Sequence, residues 1–153
     1  MNSSEEKNIS VFRDAVLEFF APVAERHGLQ VVAVGLTEYA IPLGDLTVRI
    51  RLIPSHVPGP VVALFSNDPR WIAESPLGSW GVSLLKFVQY REPCFDFQDE
   101  RLGNRTTIPA KVQFLAELLG KYCDQVLEGD RHLWQTVSRQ AEEEMTRSGQ
   151  TKA

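Results

Sequence analysis

The sequence predicts an α+β protein: an N-terminal helix, a three-stranded antiparallel meander, and C-terminal helices packed on one face of the sheet. Three observations predict it. Between Thr107 and Arg147 apolar residues recur every three or four positions, with one interruption at Glu128-Gly129-Asp130, so the stretch reads as two joined helices. Ile9, Phe12, Val16, Phe19 and Val23 keep the same helical spacing near the start. Between these helical regions Leu46 to Ile53 alternates: Leu46, Val48, Ile50 and Leu52 on one side, Thr47, Arg49 and Arg51 on the other. Such alternation gives a sheet with one face on the core and one toward solvent.

Taken in order, the first helix is expected over Ile9–Val23, capped by Asn8 or Ser10. Pro22 should kink or tighten its last turn, and His27-Gly28 should close it with glycine at the left-handed C′ position. Leu29 to Thr37 is valine-rich and reads as a strand, with Gly35 marking a bulge or a close backbone contact. Ile41-Pro42-Leu43-Gly44-Asp45 reads as a loop, Leu46–Ile53 as the second strand, the proline-rich 54–60 stretch as a turn, and Val61–Phe65 as the third strand. From Ser66 to Thr107 the pattern weakens. Leu84, Leu85 and Val88 suit a short helix within Val82–Tyr90, and Arg91 to Arg105 reads as a charged loop.

Thr106 or Thr107 can cap the next helix, where Pro109 suits the first turn. Val112, Leu115, Leu119, Tyr122 and Val126 share one face, widened by Phe114, Leu118 and Cys123. Gly129 is placed to end this helix and Asp130 to cap the last one, in which Leu133, Val137 and Ala141 share a face beside Trp134.

At 153 residues the expectation is a single domain over 1–153, with ends fraying at about 1–7 and 148–153. A net charge of −4 argues against a nucleic-acid partner held through phosphates. No apolar run approaches the roughly 20 residues that span a bilayer, so no membrane association is expected. The acidic, polar start lacks a signal-peptide layout, and the cytoplasm is the simplest location. Cys94 and Cys123 form no CxxC pair and read as reduced thiols.

The chemical motifs are sparse. His27, His56 and His132 stand in no HxxxH, HxH or HExxH spacing, so no metal site is expected, and no cofactor fingerprint is present. Cys94 would need a base brought to it by the fold, while its neighbours Pro93 and Phe95 favour a packed thiol. Arg49 and Arg51 could hold an anion, although such a pair more often solubilises the outer face of a sheet. The segment Arg91-Glu-Pro-Cys-Phe-Asp-Phe-Gln-Asp-Glu-Arg101 combines aromatics with acids. Its phenylalanines can tuck into the core with the acids in water. The same residues suit a docking surface in which charge steers association and aromatics anchor it.

The order of elements, together with Phe19-Phe20…His27-Gly28-Leu29 and Leu115…Leu119…Tyr122…Leu127-Glu128-Gly129-Asp130…Leu133-Trp134, resembles small bacterial α+β immunity-type proteins encoded beside secreted toxins. These are packing and capping residues, so no functional residue carries over. The resemblance implies a non-enzymatic inhibitor whose partner is a protein, a secreted bacterial toxin. On that reading the partner contacts are expected from Trp71 and Trp80 as anchors, with Asp96, Asp99 and Glu100 as steering charge. The alternatives are a secretion-chaperone-like dimer and an enzyme using Cys94 or the acidic loop.

Overall fold

In the computed structural model the described residues are 3–53, 59–66 and 81–151, with no account of the side chains of residues 145 and 148–151. The protein is α+β. Among the described residues there are five helices and one five-stranded antiparallel sheet. In chain order these are α1 (Ser3–Glu25), β1 (Val32–Gly35), β2 (Glu38–Leu43), β3 (Leu46–Ile53), β4 (Gly59–Ser66), β5 (Val82–Ser83), α2 (Leu84–Arg91), α3 (Ile108–Tyr122), α4 (Asp124–Leu127) and α5 (His132–Thr151). The strands lie in sequence order across the sheet, each antiparallel to the next. The expected meander is therefore present but has five strands rather than three.

The central strand β3 alternates as its sequence implies. Leu46, Val48, Ile50 and Leu52 are buried, and Arg49, Arg51 and Ile53 are exposed. Register extends this parity sideways. Tyr39, Ile41 and Leu43 on β2, and Val62 and Leu64 on β4, stand opposite the buried β3 residues. They join one hydrophobic cluster with Phe12, Val16, Phe20 and Val23 of α1 and Val112, Leu115 and Leu119 of α3. Each fully buried aliphatic side chain contributes about 1.5–3 kcal/mol relative to exposure.

The second strand is the main departure from the sequence reading, which placed a loop at 41–45. Pro42 argues for a loop only if its missing N–H belongs to the ladder. The Leu52 N–H donates to the Thr37 carbonyl, so even-numbered β3 residues aim their backbone groups at β2. Glu38, Ala40 and Pro42 consequently aim theirs away from β3, toward β1. β1 reaches only as far as Ala40 on β2, so Pro42 deprives no neighbour of a donor. β1 itself is shorter than expected, and its register shifts between Ala33 and Gly35, where a bulge was anticipated.

The helix ends follow local chemistry. Gly28 (φ +72°) and Gly129 (φ +105°) both take the left-handed conformation. At each, paired backbone bonds close a Schellman turn: Gly28 to Glu25 and Leu29 to Ala24, Gly129 to Val126 and Asp130 to Gln125. Thr107 caps α3, its hydroxyl accepting from the Ala110 N–H. Asp130 stands one residue outside the cap position: its carboxylate accepts from the His132 N–H, while the Arg131 carbonyl accepts the first helical bond, from Gln135. The long helix expected up to Gly129 is interrupted at Cys123 and resumes as the single turn α4. Arg91 covers that interruption, donating to the carbonyls of Lys121 and Tyr122 and to the Asp124 carboxylate at 2.9 Å. α1 starts at Ser3, ahead of both anticipated caps, and carries Pro22 in its last turn.

Gly81 holds φ +71°, and a Cβ there would lie 2.7 Å from the Leu64 carbonyl oxygen and 2.9 Å from the Phe65 ring. Gly129 has the same backbone demand with open space around it. Gly81→Ala should therefore cost roughly 2–4 kcal/mol, left-handed strain plus a forced contact, against about 1–2 kcal/mol for Gly129→Ala. Urea unfolding of the two variants measures the order, and equal midpoints would refute it.

Candidate functional site

The expected anchors Trp71 and Trp80 lie outside the described residues, as does His56. The acidic segment is a structured turn. Asp96 accepts from the Gln98 N–H, and Asp99 caps the 3-10 turn Glu100–Leu102 by accepting from the Arg101 N–H. Both oxygens of Asp99 also meet the Arg101 guanidinium, the shorter contact being 2.7 Å. That guanidinium lies 3.9 Å from the centre of the Phe114 ring on α3. Glu100 keeps an exposed side chain while its carbonyl accepts from the Thr106 hydroxyl. Phe95 packs on Phe114, on Tyr122 and on Phe97, with ring centres 6.4, 6.3 and 5.0 Å away. Phe97 remains 36% exposed. Two of the three acids are thus engaged locally, and the turn serves as a lid over the Phe114 end of α3.

Catalytic groups are dispersed. Cys123 is buried between helices, and burial pushes its thiol well above the ordinary range, which suits packing rather than nucleophilic attack. Cys94 is exposed in the turn after α2. His27 faces Glu128 at 3.9 Å, and His132 is exposed at the head of α5. No group of three or more metal-ligating side chains occurs among the described residues. The Tyr122 hydroxyl donates to the Glu92 carboxylate, which raises the phenol's pKa and ties the end of α2 to α3. No helix among the described residues is long and apolar enough to cross a membrane.

The outer face of the sheet supplies its own charge partners. Arg51 pairs with Glu38 at 2.9 Å, and Arg49 lies 4.8 Å from the centre of the Phe65 ring. Neither arginine is left to hold an anion by itself. No family model, curated protein or solved structure matches the chain.

Among the described residues, two further surfaces stand out that the sequence reading did not single out. The first is the β1 edge. All four residues of β1 are exposed, and Val32, Val34 and Leu36 stand 40, 57 and 68% open to solvent. From Leu29 to Thr37 the chain carries no charged side chain. The sequence did not mark it: an uncharged valine-rich run reads equally as a strand buried on both faces, and it is the strand order that puts β1 at an edge. The second is a groove of about 350 Å³ at the other side of the sheet, between β4 and the helices, lined mainly by aliphatic side chains and by Lys111.

The Asp99–Arg101 pair has a measurable signature. The Arg101 side chain and then its backbone N–H hold the Asp99 carboxyl at about 2. A depressed carboxylate stabilises the fold above its ordinary range and loses that contribution as pH falls through about 2. Carbon-detected NMR titration should place the Asp99 midpoint near 2 in the wild type. In Arg101→Gln the midpoint should return toward the usual carboxylate range. An unchanged midpoint would mean that the backbone bond alone sets it.

Proposed function

We propose that this chain is a non-catalytic binding protein of the immunity type, acting in the cytoplasm, whose partner is another protein docked on the β1 edge. The observation that carries the reading is the exposure of Val32 and Val34 on an uncharged edge strand and of Leu36 in the turn that follows it. Contiguous apolar surface that stays uncovered marks an interaction site, because it is otherwise an association hazard.

A heterologous partner fits this edge better than a second copy. β1 has four residues and a bulge between Ala33 and Gly35, features that spoil continuous strand-to-strand pairing of identical edges. Anchoring then falls to side chains, with Leu36 and Val34 the most projecting. Asp96 and Glu100 enter this reading as long-range charge. Asp99 contributes little to it, since Arg101 neutralises it. A partner of toxin type would be held by apolar anchors and steered by the net acidic charge.

The test is affinity capture from the native host with the wild type and with Val34→Lys/Leu36→Lys. The wild type should retain one discrete protein whose toxicity it suppresses on co-expression. The double variant should lose at least about tenfold in affinity, as apolar anchors at interface centres do, with an unchanged melting temperature. Light scattering that gives a dimer dispersed by the same variant would establish self-association instead. Capture unaffected by the variant would refute the β1 site.

A further inference from the structure

β5 pairs with β4 only at Ala63 and Leu64, and Leu84 follows it across from Val62. There the chain turns into α2 instead of running on beside Gly59 to Val61, and the apolar groove lies along that margin. Parity decides what β4 offers to it. Even-numbered β3 residues aim their backbone groups at β2, so their β4 partners, Pro60 and Val62, aim theirs away from β3. Val62 already faces Leu84, and Pro60 has no N–H. β4 therefore gives no main-chain donor to anything laid in the groove, and recognition falls to side chains.

Those side chains are of two kinds. Leu84 and Leu115 are buried at the floor, Leu85 and Leu102 are half-buried, and Ile53 and Val61 stand 36 and 45% exposed at the margin. Apolar side chains that converge on a groove but stay partly uncovered leave surface for an apolar ligand to bury. Lys111 is the one charged residue of the lining. Its ammonium stands 3.9 Å from where a Cβ on Gly59 would be, at the Gly59 end. Lys111 is half-buried, and among the described residues no carboxylate pairs with it.

We propose that this groove binds a single-chain aliphatic carboxylate of medium length, its hydrocarbon against the leucines and its carboxylate on Lys111. Charge selects the head group: a partly desolvated ammonium without a carboxylate is completed by an anion through a charge-assisted hydrogen bond. A net charge of −4 disfavours a polyanion, so one ligand charge matches one ammonium. The lack of a main-chain donor selects the tail, since an alkyl chain needs no pairing along its length whereas an extended peptide does. The groove's volume of about 350 Å³ lies at the small end of ligand pockets, about 300–1,000 Å³, and suits one chain rather than two. The groove is on the opposite side of the sheet from β1 and does not depend on the β1 reading.

The experiment titrates the full chain, labelled with nitrogen-15, with hexanoate, octanoate, decanoate and octan-1-ol. The carboxylates should shift the amide signals of Val62, Leu84, Leu102 and Lys111 in a saturable way. Affinity should rise about twofold with each added methylene, half of what complete burial would give. Octanoate should bind about fivefold more tightly than octan-1-ol, the difference between a charge-assisted and a neutral hydrogen bond. Lys111→Met should abolish that preference while leaving the affinity for octan-1-ol and the melting temperature unchanged, and Lys111→Arg should restore it. Lys111→Gln replaces the methionine variant if methionine disturbs folding. Val34→Lys/Leu36→Lys should bind decanoate like the wild type, which separates this groove from the β1 surface. No saturable shift from decanoate at millimolar concentration would overturn the proposal. Equal binding of octanoate and octan-1-ol, or a preference for octanoate that survives the loss of Lys111, would overturn the role of the ammonium and the proposal with it. Tighter binding of acetyl-Leu-Val-Leu than of decanoate would overturn it too, by showing a site for a peptide end.

Discussion

The parity of β3 is the constraint on which the rest of the structure depends. A strand has only two faces, and four consecutive even positions, Leu46, Val48, Ile50 and Leu52, are committed to one of them. Shifting any neighbouring strand by a single residue would turn its apolar set into water. Tyr39, Ile41 and Leu43 on β2 and Val62 and Leu64 on β4 are therefore locked in register by the same burial that locks β3. The helices inherit the constraint, since α1 and α3 close the core over those residues. Parity also reaches the backbone. It decides which N–H groups point to which neighbour, and it makes Pro42 and Pro60 harmless to the ladder.

Polar ties act where the apolar pattern stops giving instructions, at the changes of chain direction. Arg131 donates to the Leu43 carbonyl at 2.6 Å, to the Asp45 carboxylate at 2.6 Å and to the Val126 carbonyl at 3.2 Å. One side chain thus fixes the β2–β3 turn against the joint between α4 and α5. Arg91 does the same for the break between α3 and α4. Guanidinium suits both places because its donors diverge in one plane and reach several carbonyls together. The carbonyl contacts carry more weight than the carboxylate ones. Asp45 is largely exposed, and ion pairs in water contribute little, whereas a carbonyl at a helix end needs a donor once it is partly covered.

Much of this fold was legible in the residues. The spacing in α1, α3 and α5, the alternation in β3, the glycines at 28 and 129 and the Thr107 cap each state a local preference that the tertiary structure keeps. The second strand was not legible because Pro42 and Gly44-Asp45 are the residues of a loop. Their harmlessness depends on where β1 ends, which is a fact about two other segments. The break at Cys123 was hidden for a related reason: Val126 and Leu127 continue the apolar spacing of α3 although the backbone does not continue the helix. For the candidate sites the limits are different. The acids at 96, 99 and 100 and the aromatics at 95 and 97 look in sequence like a free acidic patch. The decisive partner of Asp99 is two residues away, at Arg101, and the ring beneath that arginine, Phe114, lies on α3. Composition reveals charge but not its neutralisation.

The sheet's two margins are where burial and hydrogen bonding remain incomplete, and they are incomplete in opposite ways. β1 leaves apolar side chains uncovered on a strand shortened by a bulge, so it offers surface with little regular pairing. The Gly59–Val62 edge of β4 keeps its apolar side chains beside a groove, with Leu84 following β5 across from Val62 and Pro60 withholding a donor from the rest. Both devices suppress edge-to-edge aggregation, the usual hazard of an open antiparallel sheet. A chain under no demand beyond solubility would place lysine or glutamate on such edges, as the outer positions of β3 do with Arg49 and Arg51. Val32, Val34 and Leu36 instead stay apolar in a run without charge, and Lys111 stands at the end of an aliphatic groove with no carboxylate among the described residues beside it. Those choices favour neither the core nor solvation, and the β1 run among them is what the proposed binding role rests on. The acidic turn, by contrast, has its charges and rings answered from within the chain, which moves the weight of any binding function from the loop to the edges.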